Sequence, residues 1–102
     1  MNTFIYALTG PDTDLIRYIG KSDNPQKRLR THLTEARTSN RISHRLNWLR
    51  QLIKLNQKPK LIILEECDVN NWISREKWWI NKQKLISKLV NNTDGGEGAS
   101  GY

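Results

Sequence analysis

The sequence predicts a small α+β domain of order ββααβα, with a three-stranded, mostly antiparallel sheet flanked by helices. Three observations carry this expectation. Two short apolar segments around Tyr6 and Tyr18 are separated by turn residues. Two amphipathic stretches follow between about Pro25 and Leu55. An Ile/Leu-rich segment at 60–66 then precedes a third helical stripe. A chain of 102 residues is expected to form one domain with one modest core.

The first two strands are expected at 3–9 and 15–21, joined by Thr9-Gly10-Pro11-Asp12-Thr13-Asp14, a hairpin-loop composition. Antiparallel pairing can bring the phenols of Tyr6 and Tyr18 together if the register allows. Asp23-Asn24-Pro25 reads as a helix entry, with either Asp23 or Asn24 as cap and Pro25 in the first turn. That helix runs to about Ala36 and places Leu29, Leu33 and Ala36 on one face. A second, from about Ile42 to Leu55, carries Leu46, Leu49 and Ile53 at helical spacing and is stopped by Asn56-Gln57-Lys58-Pro59. A third helix, capped by Asp68, is expected from about Val69 to Leu89. The glycines at 95, 96, 98 and 101 make residues 91–102 a loop or tail.

Charge narrows the partner. Lys and Arg outnumber Asp and Glu by 17 to 10, and the sequence pI is about 9.9. The excess is concentrated between Arg17 and Lys60, where Asp23 and Glu35 are the only carboxylates. Such a segment favours a polyanion, nucleic acid before anionic lipid. A single cysteine, Cys67, excludes an intramolecular disulfide framework and a multi-cysteine zinc site, and it reads as a structural thiol following the third strand. No apolar run approaches the ~20 residues of a membrane helix, and no secretory leader is recognisable. A cytoplasmic or nucleoid-associated setting, with no membrane and no small-molecule cofactor, is therefore expected.

Trp72, Ile73, Glu76, Trp79, Ile80 and Gln83 follow one another at helical spacing, so Glu76 shares a stripe with apolar groups. A carboxylate there needs a partner. Either it forms a salt bridge, for example to Arg28 or Lys21, or it binds a metal. His32 lies one turn beyond Arg28 and can share its face. His44 reads as a surface group. Nucleophile triads, zinc clusters and phosphate-binding glycine loops ahead of a helix are absent from the pattern.

Taken in order, these residues resemble the GIY-YIG nuclease domain over most of the chain. Phe4-Ile5-Tyr6 stands for the first motif, with Phe4 in place of its glycine, and Tyr18-Ile19-Gly20 matches the second. Arg28 falls where the family carries its helix arginine, and His32 follows where many members have a histidine. Glu76 matches the metal-binding glutamate and Asn91 the closing asparagine. The resemblance implies hydrolysis of DNA, double-stranded or branched, with one divalent ion, Mg²⁺ or Mn²⁺. Glu76 would hold that ion, Arg28 would face the phosphate, and a tyrosine would take the proton of the attacking water. We expect Tyr6 as base and Tyr18 as the orienting group. A phenol of pKa about 10 needs help at neutral pH, and Lys21, three residues after Tyr18, is the expected cationic neighbour along with the metal.

Lys27, Arg30, Arg37, Arg41, Arg45 and Arg50 are the expected DNA-backbone contacts, giving affinity with little sequence reading. A catalytically inactive DNA-binding module of the same fold is the alternative, although such a module has no need of Glu76. An RNA-binding domain would want aromatics on the sheet face, whereas Trp48, Trp72, Trp78 and Trp79 fall in helices. One of the adjacent Trp78 and Trp79 is expected to cover the second helix. The chain reads as a stand-alone nuclease of low specificity or as the catalytic domain of a longer one.

Overall fold

The computed structural model describes residues 2–91. The predicted Gly-rich tail, from residue 92 on, lies outside them. Strands β1 (Asn2–Thr9) and β2 (Ile16–Ser22) are followed by helices α1 (Pro25–Thr38) and α2 (His44–Lys54), strand β3 (Lys60–Asp68) and helix α3 (Trp72–Gln83). This is the predicted ββααβα order. Both strand pairs are antiparallel, and β1 is the middle strand of β2-β1-β3.

The central position of β1 explains its composition. A strand buried on both faces reads as a nearly continuous apolar run, with alternate side chains serving opposite layers. Tyr6 and Leu8 join Tyr18 of β2, Ala36 of α1 and Leu46, Trp48, Leu49 and Leu52 of α2 in one cluster. Ile5 and Ala7 join Ile19, Cys67 and Ile80 of α3 in the other. Helices α1 and α2 therefore cover the tyrosine face, and α3 covers the opposite face. Each fully buried Ile or Leu contributes about 1.5–3 kcal/mol.

Local chemistry sets the helix starts. Asn24, not Asp23, caps α1: its side chain accepts from Lys27 N at 3.2 Å, and Pro25 occupies the first turn. Ser43 caps α2 by accepting from Leu46 N at 3.1 Å, which leaves the expected first residue, Ile42, outside the helix and exposed. Beyond α2, Asn56 takes the left-handed conformation (φ 60°) that ends a helix.

The third helix is shorter than predicted at both ends. Asp68 is the last residue of β3, and its carboxylate accepts from Asn70 N and Asn71 N, turning the chain before α3 begins. Past Gln83 the backbone leaves the helix to run beside β2. Ser87 Oγ donates to Ile16 O at 2.7 Å, and Val90 N donates to Arg17 O at 2.6 Å. Cys67 lies inside β3 rather than after it, and is buried. Neither Trp78 nor Trp79 covers α2, since α3 lies across the sheet. Trp79 instead donates its indole N–H to Glu65 of β3 at 2.9 Å. Among the described residues no helix is long and apolar enough to cross a membrane.

Candidate active site

Register brings the two phenols together. Tyr6 stands opposite Gly20, and Leu8 opposite Tyr18, so the tyrosines are diagonal neighbours on one face. Their ring centroids are 6.1 Å apart. Gly20 makes the space: a Cβ there would stand 2.7 Å from Tyr6 Oη and 2.8 Å from the Tyr18 ring. Glycine is required by this close approach and not by backbone conformation. The role of Gly20 escaped the sequence reading, although the second-motif glycine facing Tyr6 across a hairpin was the available signal.

His32 completes the cluster from α1. Its Nε2 lies 2.9 Å from Tyr6 Oη, and its ring meets Tyr18 edge-on at 5.5 Å. Burial, then the cations Arg45 and Arg28, hold the imidazole uncharged, with a pKa lowered to about 3. Tyr6 moves the other way. Burial first, and then Tyr18, raise its pKa well above the usual phenol value, and Arg28 and Arg45 pull it down only in part.

This corrects the expected cationic neighbour. The cations that act on Tyr6 are Arg28 and Arg45. Lys21 leaves β2 with the same parity as Ile19, on the α3 face. Its Nζ lies 4.8 Å from the Trp72 ring centroid and 4.0 Å from Asp23 Oδ1.

Glu76 is 2% exposed, on the α3 ridge between Trp72 and Ile80. The donor set around it can be tested against a metal. No group of three or more His, Cys, Asp or Glu side chains able to hold an ion occurs among the described residues. A protein-enclosed cation does not fit this donor set. A Mg²⁺-type ion would need fewer protein ligands, since it keeps waters and takes others from a substrate phosphate.

The predicted DNA contacts do not form one surface. Lys27 lines, together with Lys21 and Arg28, a cleft of about 440 Å³ beside the first turn of α1. It adjoins a groove of about 740 Å³ along α1, lined by Lys27, Arg28, Arg30, Thr31, Thr34 and Arg41 among others. Arg41 also pairs with Glu35 at 2.9 Å. Arg37 is exposed on a separate small cleft shared with Lys58.

Arg45 and Arg50 do not serve as surface contacts. Arg45 is 2% exposed and pairs with Glu35 at 3.1 Å. Arg50 donates to Ala36 O at 2.9 Å and Ser39 O at 2.7 Å, satisfying carbonyls at the end of α1. Charge announces a cation in a sequence but not whether it turns inward.

Asn91 acts on the backbone. Its Oδ1 accepts from Ile19 N at 3.0 Å, and its Nδ2 donates to Ile19 O at 2.7 Å. One side-chain amide thus replaces a neighbouring strand along the outer edge of β2, between Tyr18 and Gly20.

No curated protein and no solved structure matches the chain. A family comparison matches residues 2–89 to the GIY-YIG catalytic domain. That span holds Tyr6, Tyr18, Arg28, His32 and Glu76, and it covers most of the chain. The chain therefore belongs to the GIY-YIG catalytic domain family, whose members are nucleases acting on DNA.

Proposed function

We propose that this domain is an endonuclease that hydrolyses DNA phosphodiester bonds with one divalent cation, Mg²⁺ or Mn²⁺. The observation that carries the reading is the double membership of Arg28. It lines both cationic clefts and also acts electrostatically on Tyr6 and His32. A backbone phosphate drawn to the α1 groove is thereby brought beside the buried phenols.

Each residue then has a chemical task. Lys27, Arg30 and Arg41 hold the DNA backbone along α1. Arg28 presents its planar fork to the non-bridging oxygens, where charge must be stabilised in the transition state. Glu76 is the protein ligand of the cation, which when bound polarises the phosphoryl group and stabilises the leaving oxygen. Tyr6 takes the proton of the attacking water. Burial disfavours its phenolate, so this role depends on the positive field from Arg28 and Arg45. Tyr18 orients the water or the scissile phosphate. Asn91 and Gly20 position β2.

Incubation with supercoiled, linear, single-stranded and branched DNA, with and without Mg²⁺, tests the function. Metal-dependent cuts in at least one duplex or branched substrate are expected. Binding without cleavage of any of them would convert the reading to the inactive DNA-binding module. For the tyrosines, single-turnover cleavage by Tyr6→Phe should fall by about 10²-fold or more, the scale of general base catalysis. If Tyr6→Phe cuts at the wild-type rate while Tyr18→Phe is dead, the two roles are reversed.

A further inference from the structure

Arg17 leaves β2 against its parity. Side chains alternate along a strand, so the neighbour of Tyr18 should point toward α3. Its guanidinium instead lies over Trp48 of α2, on the tyrosine side, 5.5 Å from the ring centroid. The register explains the reversal. Leu8 pairs with Tyr18 and Thr9 with Ile16, which makes Arg17 the extra residue of a β-bulge. Bulges re-aim a side chain, and they recur beside active sites. The re-aimed residue is also pinned. Arg17 Nε donates to Lys88 O at 2.8 Å, and Arg17 O accepts from Val90 N at 2.6 Å.

The bulge delivers Arg17 to a cleft of about 430 Å³ between α2 and the segment that returns along β2. That volume falls within the about 300–1,000 Å³ of ligand sites. His44, Asn47, Trp48 and Gln51 line it at helical spacing, so one stripe of α2 forms a wall. Arg17 and Lys88 belong to the other side. The chemistry is one-sided. Among the described residues no carboxylate lines this cleft, whereas Asp23 lines the cleft at the first turn of α1 and Glu35 the groove beyond it. The amide oxygen of Asn47 accepts from Arg50 Nη1 at 3.4 Å, which leaves its N–H groups to a ligand. Arg17, His44, Asn47 and Lys88 thus offer donors, a set that suits an anion with several acceptor oxygens.

We infer that this cleft is a second phosphate subsite, which holds the DNA backbone on the far side of Tyr18 from the cleft at the first turn of α1. The identity of the ligand rests on the nuclease reading. Arg17 immediately precedes Tyr18 in β2, and Lys21, which lines the first-turn cleft, follows it by three residues. The strand covers about 13 Å from Arg17 to Lys21 at ~3.3 Å per residue, or about four base-pair steps of duplex. Trp48 and Val90, which line the new cleft, pack in one layer with Tyr6 and Tyr18. A backbone seated in both clefts passes the tyrosine pair, where the scissile bond has to lie. One cationic groove tethers the substrate, whereas anchors on both sides of the reacting group fix its orientation.

The test measures binding of a short labelled duplex over a range of salt concentrations, without divalent ion so that no cleavage intervenes. His44, Asn47 and Lys88 are exposed, so their substitution leaves the core intact. His44→Ala and Asn47→Ala should each lower affinity about tenfold, the weight of a hydrogen bond to a charged group. Lys88→Ala should lower the salt slope by about one. Lys54→Ala, on the same helix but not lining the cleft, is the matched control and should bind as wild type does. Urea unfolding midpoints equal to that of wild type confirm that the losses are losses of contact. Affinities and salt slopes of His44→Ala, Asn47→Ala and Lys88→Ala that match those of Lys54→Ala overturn the subsite. The nuclease reading fails separately. A wild-type protein that cuts no DNA, with the three losses still seen, leaves the subsite standing in a DNA-binding module. A wild-type protein that binds no duplex overturns both.

Discussion

Glu76→Ala should abolish Mg²⁺-dependent cleavage, a loss of about 10³-fold or more, while DNA binding survives. The size follows from the chemistry. Removing one group that stabilises transition-state charge costs about 10²–10³ in rate, and on the proposed reading Glu76 is the protein ligand of the cation. Glu76 is buried on the α3 ridge and is not among the residues lining the α1 groove that is proposed to bind the backbone. Rate and affinity should therefore separate. Glu76→Gln, of nearly the same shape, guards against a packing effect and should be equally dead. Binding of labelled duplex to Glu76→Gln should weaken steeply with added salt. Removing Lys27 or Arg30 in that background should lower the salt slope by about one each. Full cleavage by Glu76→Ala would sink the metal-ligand assignment, and a flat salt response would remove the α1 groove as the DNA surface.

Gly20→Ala should damage stability and cleavage together, and for one geometrical reason. The new methyl would stand 2.7 Å from Tyr6 Oη and 2.8 Å from two ring carbons, one on each tyrosine. Neither ring can retreat easily. Both belong to the packed layer under α1 and α2, and Tyr6 is held by His32 at 2.9 Å. Overpacking of this kind costs about 1–3 kcal/mol. A displacement of about 1 Å at reacting groups can cost about 10² in rate. Urea unfolding and single-turnover cleavage measure the two effects. Gly10→Ala is the milder control, because its Cβ would approach only the Cγ2 of the exposed Thr13 side chain, at 3.1 Å. An alanine at position 20 that leaves both the unfolding midpoint and the cleavage rate untouched would show that the phenols do not depend on that space.

Much of this arrangement could be read before the fold was known. The alternation in Phe4-Ile5-Tyr6 and Tyr18-Ile19-Gly20, with turn residues between, defines a hairpin whose side-chain period is two. Leu29, Leu33 and Ala36, and later Leu46, Leu49 and Ile53, define helices facing a common layer. The same period of two carried a warning about Lys21. A residue three positions after Tyr18 in a strand points to the opposite face, and there it meets Trp72.

Other features depended on tertiary contacts that a local pattern does not encode. Leu85, Ile86 and Leu89 continue the apolar spacing of α3, yet hydrogen bonds from Ser87 and Val90 to β2 draw the chain out of the helix. The inward turn of Arg45 answers Glu35, ten residues earlier on another helix. That of Arg50 answers carbonyls left free where α1 ends. The two-sided nature of the sheet decided the rest. It sends Trp79 to Glu65 on β3 and leaves α2 to the tyrosine face.

The amide of Asn91 has a temporal consequence as well as a geometrical one. It grips Ile19, a residue 72 positions earlier, on the strand that carries Tyr18 and Gly20. Contacts of such long sequence separation form late, because chain closure must be completed before they contribute. During synthesis the hairpin and the first two helices emerge well before residue 91. The outer edge of β2 acquires its last support only when the chain behind α3 has returned to it. A nascent chain can thus carry both tyrosines and Arg28 while still lacking Glu76 and the Asn91 clamp, so on the proposed reading the site is completed only after residue 91 has been added.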